Sequence, residues 1–217
     1  MIPIDHEGAW VVRPRTLDAC RSLDVTLRAG EVDREGALEV VALTARAVGH
    51  AHRHGLWDGQ FEAGAIRVAP GRPPRVLLGA GSDWSFIVDG ALQLRRDGLS
   101  LHLPTTISPE RVGGAGVPVA DDVWALGVIL FQVLAGRAPF VGSSIPAILR
   151  ATVRGGPPAP SSLAPDVHPD LDALVLRALA DLDARFRDAD ELADALVDAL
   201  VSGRALRRER DTIAAGS

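Results

Sequence analysis

Residues 50–68, HAHRHGLWDGQFEAGAIRV, concentrate side chains that often carry out chemistry. His50 and His54 are four residues apart on a predicted helix, so they share one face with Asp58 close behind, and together they could bind zinc. A structural zinc site needs four ligands, however, and no cysteine is near. A hydrolytic site of His54, Asp58 and Glu62 is a weaker hypothesis, because no nucleophile accompanies them on this short loop. The sequence therefore favours a helix on whose surface His50 and His54 lie without a metal.

Composition and charge exclude several classes of protein. The chain has 217 residues, 47% of them hydrophobic, which predicts a globular fold, and its net charge of −5 argues against a nucleic-acid partner. A single cysteine, Cys20, favours a reducing compartment. The N-terminus has no signal-peptide pattern, and the apolar run at 123–136 is shorter than the roughly 20 residues that cross a bilayer. We therefore expect a cytoplasmic protein with no membrane partner.

Hydrophobic periodicity and turn residues predict a mainly α (α+β) domain, helical with a few short β-hairpins. Strands are predicted at 7–15, as two pieces within 66–78, and as a hairpin at 91–103 around Asp97-Gly98. Helices are predicted at 33–54, 121–135 (buried on every side), 144–154, from Pro169 onward, and from the capping sequence at Asp188 to Gly203.

Three segments of the second half follow one another at a spacing that resembles the C-terminal lobe of protein kinases, in particular bacterial serine/threonine kinases. They are ISPERVGG, ADDVWALGVILFQVLAGRAPF and RALADLDARFRDADELADAL. Ser108-Pro109-Glu110 resembles the Ala-Pro-Glu triplet that closes the activation segment. Arg185 lies where the family has the arginine that pairs with the glutamate of that triplet. The resemblance therefore implies a Glu110–Arg185 ion pair with a structural role.

The middle segment resembles the D-x-W-x-x-G pattern of the kinase F helix through Asp122, Trp124 and Gly127. By this resemblance Asp122 is expected to accept backbone hydrogen bonds from the catalytic loop. Trp124 is expected to belong to the core. These residues are assigned structural roles.

The first stretch then corresponds to the end of the kinase E helix, with His52 as the structural histidine of the family. The loop H-R-D-L-x-x-x-N should follow it. The resemblance places Gln60 at the catalytic aspartate, Glu62 at the usual lysine, Ala65 at the metal-binding asparagine and Gly79 at the aspartate of D-F-G. Asp83, four residues further on, is the remaining candidate for a substitute metal ligand. We therefore expect no catalytic residues, no metal and no cofactor.

The resemblance also implies a division of the chain. Residues 1–30 resemble the last strand of the small lobe, the hinge and the start of the D helix, so we expect nearly no small lobe. Residues 31–202 resemble the large lobe, and 203–217 are expected to be a flexible tail.

Two readings of function follow. The first is a non-catalytic pseudokinase that acts as a scaffold or regulator in bacterial signalling. Its partner would be an active kinase, another signalling protein or a second copy of the chain. The alternative is a kinase-fold enzyme with repurposed nucleotide-dependent chemistry. The expected partner surface consists of Trp10, Val12, Trp57, Leu94 and Leu101.

Two further features are open to alternative interpretations. The 91–103 hairpin either covers the vacated cleft or presents an edge to a partner strand. Thr212 is either a phosphorylation site or part of a solvated tail, and the sequence favours the tail.

Overall fold

The computed structural model describes residues 21–55, 57–59, 61–68, 75–76 and 105–215 of the chain. Several predictions fall outside these residues and stay predictions. They concern the strand at 7–15, the hairpin at 91–103, and Trp10, Val12, Gln60, Gly79, Asp83, Leu94 and Leu101.

The described part is mainly helical, as predicted. Its helices are α1 (Leu23–Arg28), α2 (Arg34–Arg53), α3 (Pro109–Val112), α4 (Pro118–Ala135), α5 (Ile145–Arg154), α6 (Pro169–Ala178) and α7 (Ala189–Ala215). A small antiparallel sheet has the order β1 (Arg21–Ser22), β2 (Ile66–Val68) and β3 (Arg75–Val76). The predicted pair of strands within 66–78 is thus confirmed by the pairing of Ile66 with Val76.

Helix α2 begins and ends where its capping residues predict. The carboxylate of Asp33 accepts a hydrogen bond from the Gly36 N–H at 2.8 Å, which satisfies a free donor of the first turn. After the last turn Gly55 takes a left-handed φ of 73°, a conformation that glycine adopts without steric cost. The apolar stripe that includes Val41 and Val48 is fully buried.

Helix α4 is the centre of the core, as its sequence predicts. Fourteen of its residues, from Ala120 to Leu134, are buried. Within the described residues it is the one helix long and apolar enough to span a membrane, and 78% of it lies inside the fold, where a core helix belongs. A Cβ at Gly127 would lie 2.8 Å from the Ala178 Cβ, so glycine lets α4 and α6 pack closely.

Helix α7 starts as predicted but ends later. The Asp188 carboxylate accepts from the Glu191 N–H at 2.8 Å, and the Glu191 carboxylate accepts from the Arg187 N–H at 2.8 Å. The predicted helix end at Gly203 is wrong, because α7 continues to Ala215. A helical glycine costs only about 1 kcal/mol relative to alanine, and the alanine, leucine, arginine and glutamate residues that follow are strong helix formers.

The cap of α7 predicts a loss of stability in acid. The hydrogen bond from the Arg187 N–H, reinforced by Arg177, lowers the pKa of Glu191. Burial alone would raise the pKa of Asp188, but hydrogen bonds from Glu191 and Arg187 outweigh it and the net direction is downward. A lowered folded-state pKa stabilises the fold above the unfolded-state pKa, and this stabilisation is lost as pH falls through the folded-state value.

Urea unfolding at a series of pH values tests this expectation. The free energy of unfolding should hold near neutral pH and decline below about pH 4. The double variant Asp188→Asn/Glu191→Gln should have a shallower acid limb. An acid limb of unchanged slope in that variant would show that other carboxylates govern the decline.

Candidate functional site

The loop that follows α2 is held by one buried carboxylate. Asp122, near the start of α4, is fully buried. It accepts hydrogen bonds from the backbone N–H groups of Asp58, at 3.2 Å, and Gly59. Its Oδ2 also lies 2.8 Å from His52 Nε2. The backbone contacts expected of Asp122 are therefore present, and His52 joins them from the last turn of α2.

A second buried carboxylate, that of the neighbouring Asp121, holds the segment around α3. It accepts from Ser108 Oγ and, at 3.1 Å, from Arg111 Nε. Ser108 also caps α3, since its Oγ accepts from the Arg111 N–H at 3.1 Å. Adjacent residues of α4 thus fix two separate segments of the chain, residues 58–59 and residues 108–111.

Arg111 joins these two segments. Gly59 has a φ of 75°, and a Cβ there would overlap the guanidinium of Arg111. The guanidinium therefore occupies the space that a side chain at position 59 would need. Sequence reasoning missed Arg111, because this role depends on a contact between residues far apart in the chain. The one local sign of this role in the sequence is Ser108-Pro109, which predicts the start of a helix that contains Arg111.

The substituted positions of the loop are described in part. Ala65 lies in a 3-10 turn, Ala63–Ala65, which leads directly into β2, and Glu62 precedes that turn. The methyl group of Ala65 has no atom that could bind a metal. That position 65 corresponds to the metal-binding asparagine of the family stays a prediction.

The predicted ion pair between Glu110 and Arg185 is present. Arg185 Nη2 lies 3.0 Å from Glu110 Oε1, and Nη1 lies 3.3 Å from Oε2, so the contact is bidentate. The same guanidinium donates to the carbonyls of Ala120 and Ala180 at 3.0–3.2 Å. The Arg185 side chain is fully buried. It ties the first turn of α3 to the start of α4 and to the loop after α6.

Trp124 belongs to the core, as predicted. It is almost fully buried and stacks on Phe140, with ring centroids 5.6 Å apart. The Arg185 guanidinium lies 4.9 Å from the centroid of its ring. The tryptophan therefore supports the ion pair from one side.

Among the described residues, the histidines of the first stretch belong to no group of side chains that could hold a metal ion. The rings of His50 and His54 are 4.5 Å apart, and His54 Nδ1 lies 2.9 Å from the carbonyl of His50. His54 is exposed whereas Asp58 is buried. In the described parts of the chain no group of three or more histidine, cysteine, aspartate or glutamate residues could hold a metal ion.

Trp57 is the one residue of the predicted partner surface that the structure describes. It lies next to the anchored Asp58 and is half-buried. Its assignment to a partner surface stays a prediction.

Comparison with known proteins identifies kinase relatives. No family model matches the chain. It is 28% identical to the serine/threonine-protein kinase PknB of Mycolicibacterium smegmatis over 185 residues, which is 83% of this chain and 29% of the relative. It is 31% identical to the DNA damage-responsive serine/threonine-protein kinase RqkA of Deinococcus radiodurans over 163 residues, 69% of this chain and 24% of the relative.

A probable serine/threonine-protein kinase of Streptomyces coelicolor, SCO3848, is 29% identical over 162 residues, 73% of this chain and 23% of the relative. The chain thus spans less than a third of the length of each of these relatives. The matches cover most of this chain. The chain belongs to the protein kinase superfamily and is related to bacterial serine/threonine kinases.

Proposed function

We propose that this chain is a non-catalytic, kinase-like domain that binds other proteins and does not transfer phosphate. The observation that carries the proposal is the contrast at one loop. Asp122 holds the backbone of Asp58 and Gly59 in place, whereas the neighbouring positions that should act on ATP carry Gln60 and Ala65. The framework of a catalytic loop is kept without its reactive groups.

The chemistry of phosphoryl transfer makes these substitutions decisive for the proposal. Transfer depends on magnesium ions that neutralise the phosphates and on a residue that accepts the proton of the substrate hydroxyl. Magnesium prefers oxygen ligands, and the side chains of Ala65 and Gly79 contain none. The amide of Gln60 is not a base at neutral pH. Each of these losses raises the barrier to transfer.

Arg111 adds a structural argument. Its guanidinium lies against Gly59, immediately before position 60, and is fixed by the buried Asp121. This anchored cation stabilises the conformation of the loop. A protein-binding domain needs a stable loop but needs no catalytic residue in it. The Glu110–Arg185 pair likewise maintains the fold and needs no turnover.

The proposed partner is a protein, in the class of an active kinase or another signalling protein in the bacterial cytoplasm. The kinship with bacterial serine/threonine kinases supports this class of partner. The lone cysteine supports a reducing compartment.

A phosphotransfer assay with radiolabelled ATP tests the proposal. With magnesium or manganese present, we expect no label on the chain or on a generic basic protein substrate. An active bacterial serine/threonine kinase, assayed separately in parallel, should label itself and the same substrate. Two variants, Glu62→Gln and Asp83→Asn, separate intrinsic activity from contamination. If the wild-type chain transfers label and either variant does not, the proposal is contradicted. That result would favour an enzyme with repurposed nucleotide-dependent chemistry.

A further inference from the structure

The outer face of α5 carries arginines without carboxylate partners. Arg150 and Arg154 are exposed and form no ion pair within the described residues, whereas Arg46, Arg53 and Arg177 each pair with an acidic residue. Arg150 and Arg154 are one helical turn apart, so their guanidinium groups lie on the same side of α5. This side therefore presents two uncompensated positive charges.

An apolar side chain accompanies these arginines. Val153, 56% exposed, lies three residues after Arg150 and next to Arg154, so helical spacing places it at the edge of their side of α5. We call Arg150, Val153 and Arg154 the basic ridge. An exposed helix stripe that is both apolar and charged is typical of a surface that another helix covers.

A second ridge of opposite charge lies where α2 and α7 pack together. Arg53 contacts Asp190 and Arg46 contacts Asp194, so the two helices run antiparallel. Leu43 of α2 lies one turn before Arg46, and Val197 of α7 lies one turn after Asp194; both are exposed, and antiparallel helices place these turns at the same end of the packing.

The ridge continues along α7. Val201, 59% exposed, lies one turn after Val197. Asp198, exposed and without an ion pair in the described part of the chain, lies one turn after Asp194. We call Leu43, Asp194, Val197, Asp198 and Val201 the acidic ridge.

The two ridges are similar in spacing and opposite in charge, and Asp198 is the carboxylate of the acidic ridge that has no ion pair within the described residues. Arg150 and Arg154 are separated by one turn, as are Asp194 and Asp198. Each charged pair has exposed valine beside it, Val153 on the basic ridge and Val197 and Val201 on the acidic ridge. Asp194 already accepts from Arg46, but a carboxylate has lone pairs for a further donor. The ridges lie on different helices, α5 against α3 and α7 against α2.

We propose that the basic ridge of one copy of this chain docks on the acidic ridge of a second copy. Because the two surfaces differ, the contact is heterologous, and repeated copies form a ring or an open filament rather than a closed two-fold dimer. This proposal goes beyond the proposed function, since it does not depend on whether the catalytic loop is active.

Sedimentation equilibrium of the wild-type chain and two charge-reversal variants tests the contact. Arg150→Glu/Arg154→Glu destroys the basic ridge, and Asp198→Arg/Val201→Arg destroys the acidic ridge. We expect the average mass of the wild type to rise beyond the dimer between about 10 µM and about 1 mM protein, and to fall with added salt. Each variant alone should stay monomeric.

The mixture of the two variants is the sharpest arm, because each retains the ridge that the other has lost. An equimolar mixture should associate, because the intact ridges can dock and the two reversed ridges again carry opposite charges. The control Arg21→Glu/Arg28→Glu makes the same charge change at exposed arginines elsewhere and should assemble like the wild type. Circular dichroism verifies that every variant is folded.

Three outcomes would overturn the proposal. They are a wild-type chain that stays monomeric throughout the range, association of either variant alone like that of the wild type, and a variant mixture that stays monomeric. If the wild-type chain is monomeric and binds an acidic amphipathic helix through Arg150, the basic ridge is a binding site for a different protein and the proposal is wrong.

Discussion

Replacement of Arg185 by alanine is expected to lower the free energy of unfolding by about 3–5 kcal/mol. The guanidinium is fully buried, and it bonds both oxygens of Glu110 and the carbonyls of Ala120 and Ala180. Its removal leaves a mostly buried carboxylate and two carbonyls without their donor, and it removes the cation beside Trp124. Urea unfolding measures the change.

Two variants separate the geometry of Arg185 from its charge. Arg185→Lys keeps the charge but loses the planar fork that reaches four acceptors, so its loss of stability should lie between that of the wild type and that of alanine. Arg187→Ala removes a nearby arginine that is 81% exposed and should change stability by less than about 0.5 kcal/mol. Equal effects at positions 185 and 187 would contradict the role assigned to Arg185.

Replacement of Asp122 by alanine is expected to cost about 2–5 kcal/mol, because it leaves the N–H groups of Asp58 and Gly59 and the ring of His52 without their acceptor. The loss should also appear locally. Amide hydrogen exchange at positions 58 and 59 should accelerate more than exchange in α7, since the loop loses its anchor while the distant helix does not.

Asp122→Asn keeps the shape and one acceptor oxygen, so a smaller loss is expected. Asp183→Asn, at an exposed site, is the matched control and should be nearly neutral. If Asp122→Ala unfolds the chain at room temperature, the exchange comparison in Asp122→Asn still tests the anchor. Uniform acceleration throughout the molecule would argue against a local role.

The helices were predictable wherever periodicity and caps agreed. Asp33 and Gly55 delimit α2 by well-understood chemistry, and the apolar run of α4 could only be buried. The end of α7 was not predictable from Gly203, because a single glycine lowers helix stability too little to stop a run of strong helix formers.

The site was predictable only through the family resemblance. Nothing in the spacing of Glu110 and Arg185, which are 75 residues apart, would have joined them without it. Arg111 shows the limit of that approach. Its contact with Gly59 depends on how two segments meet in space, and the motif that identifies Glu110 says nothing of the residue that follows it.

Under the proposed function, the chain keeps the backbone framework of a kinase loop and does not bind Mg²⁺·ATP productively. The decisive measurement is thermal unfolding with increasing ATP, with and without magnesium. A ligand present at about 100 times its dissociation constant adds about 2.7 kcal/mol of stability, which would raise the melting temperature clearly. We expect no magnesium-dependent shift in the wild-type chain. A shift that requires magnesium and disappears in Asp83→Asn would show a rebuilt metal site and overturn the proposed function.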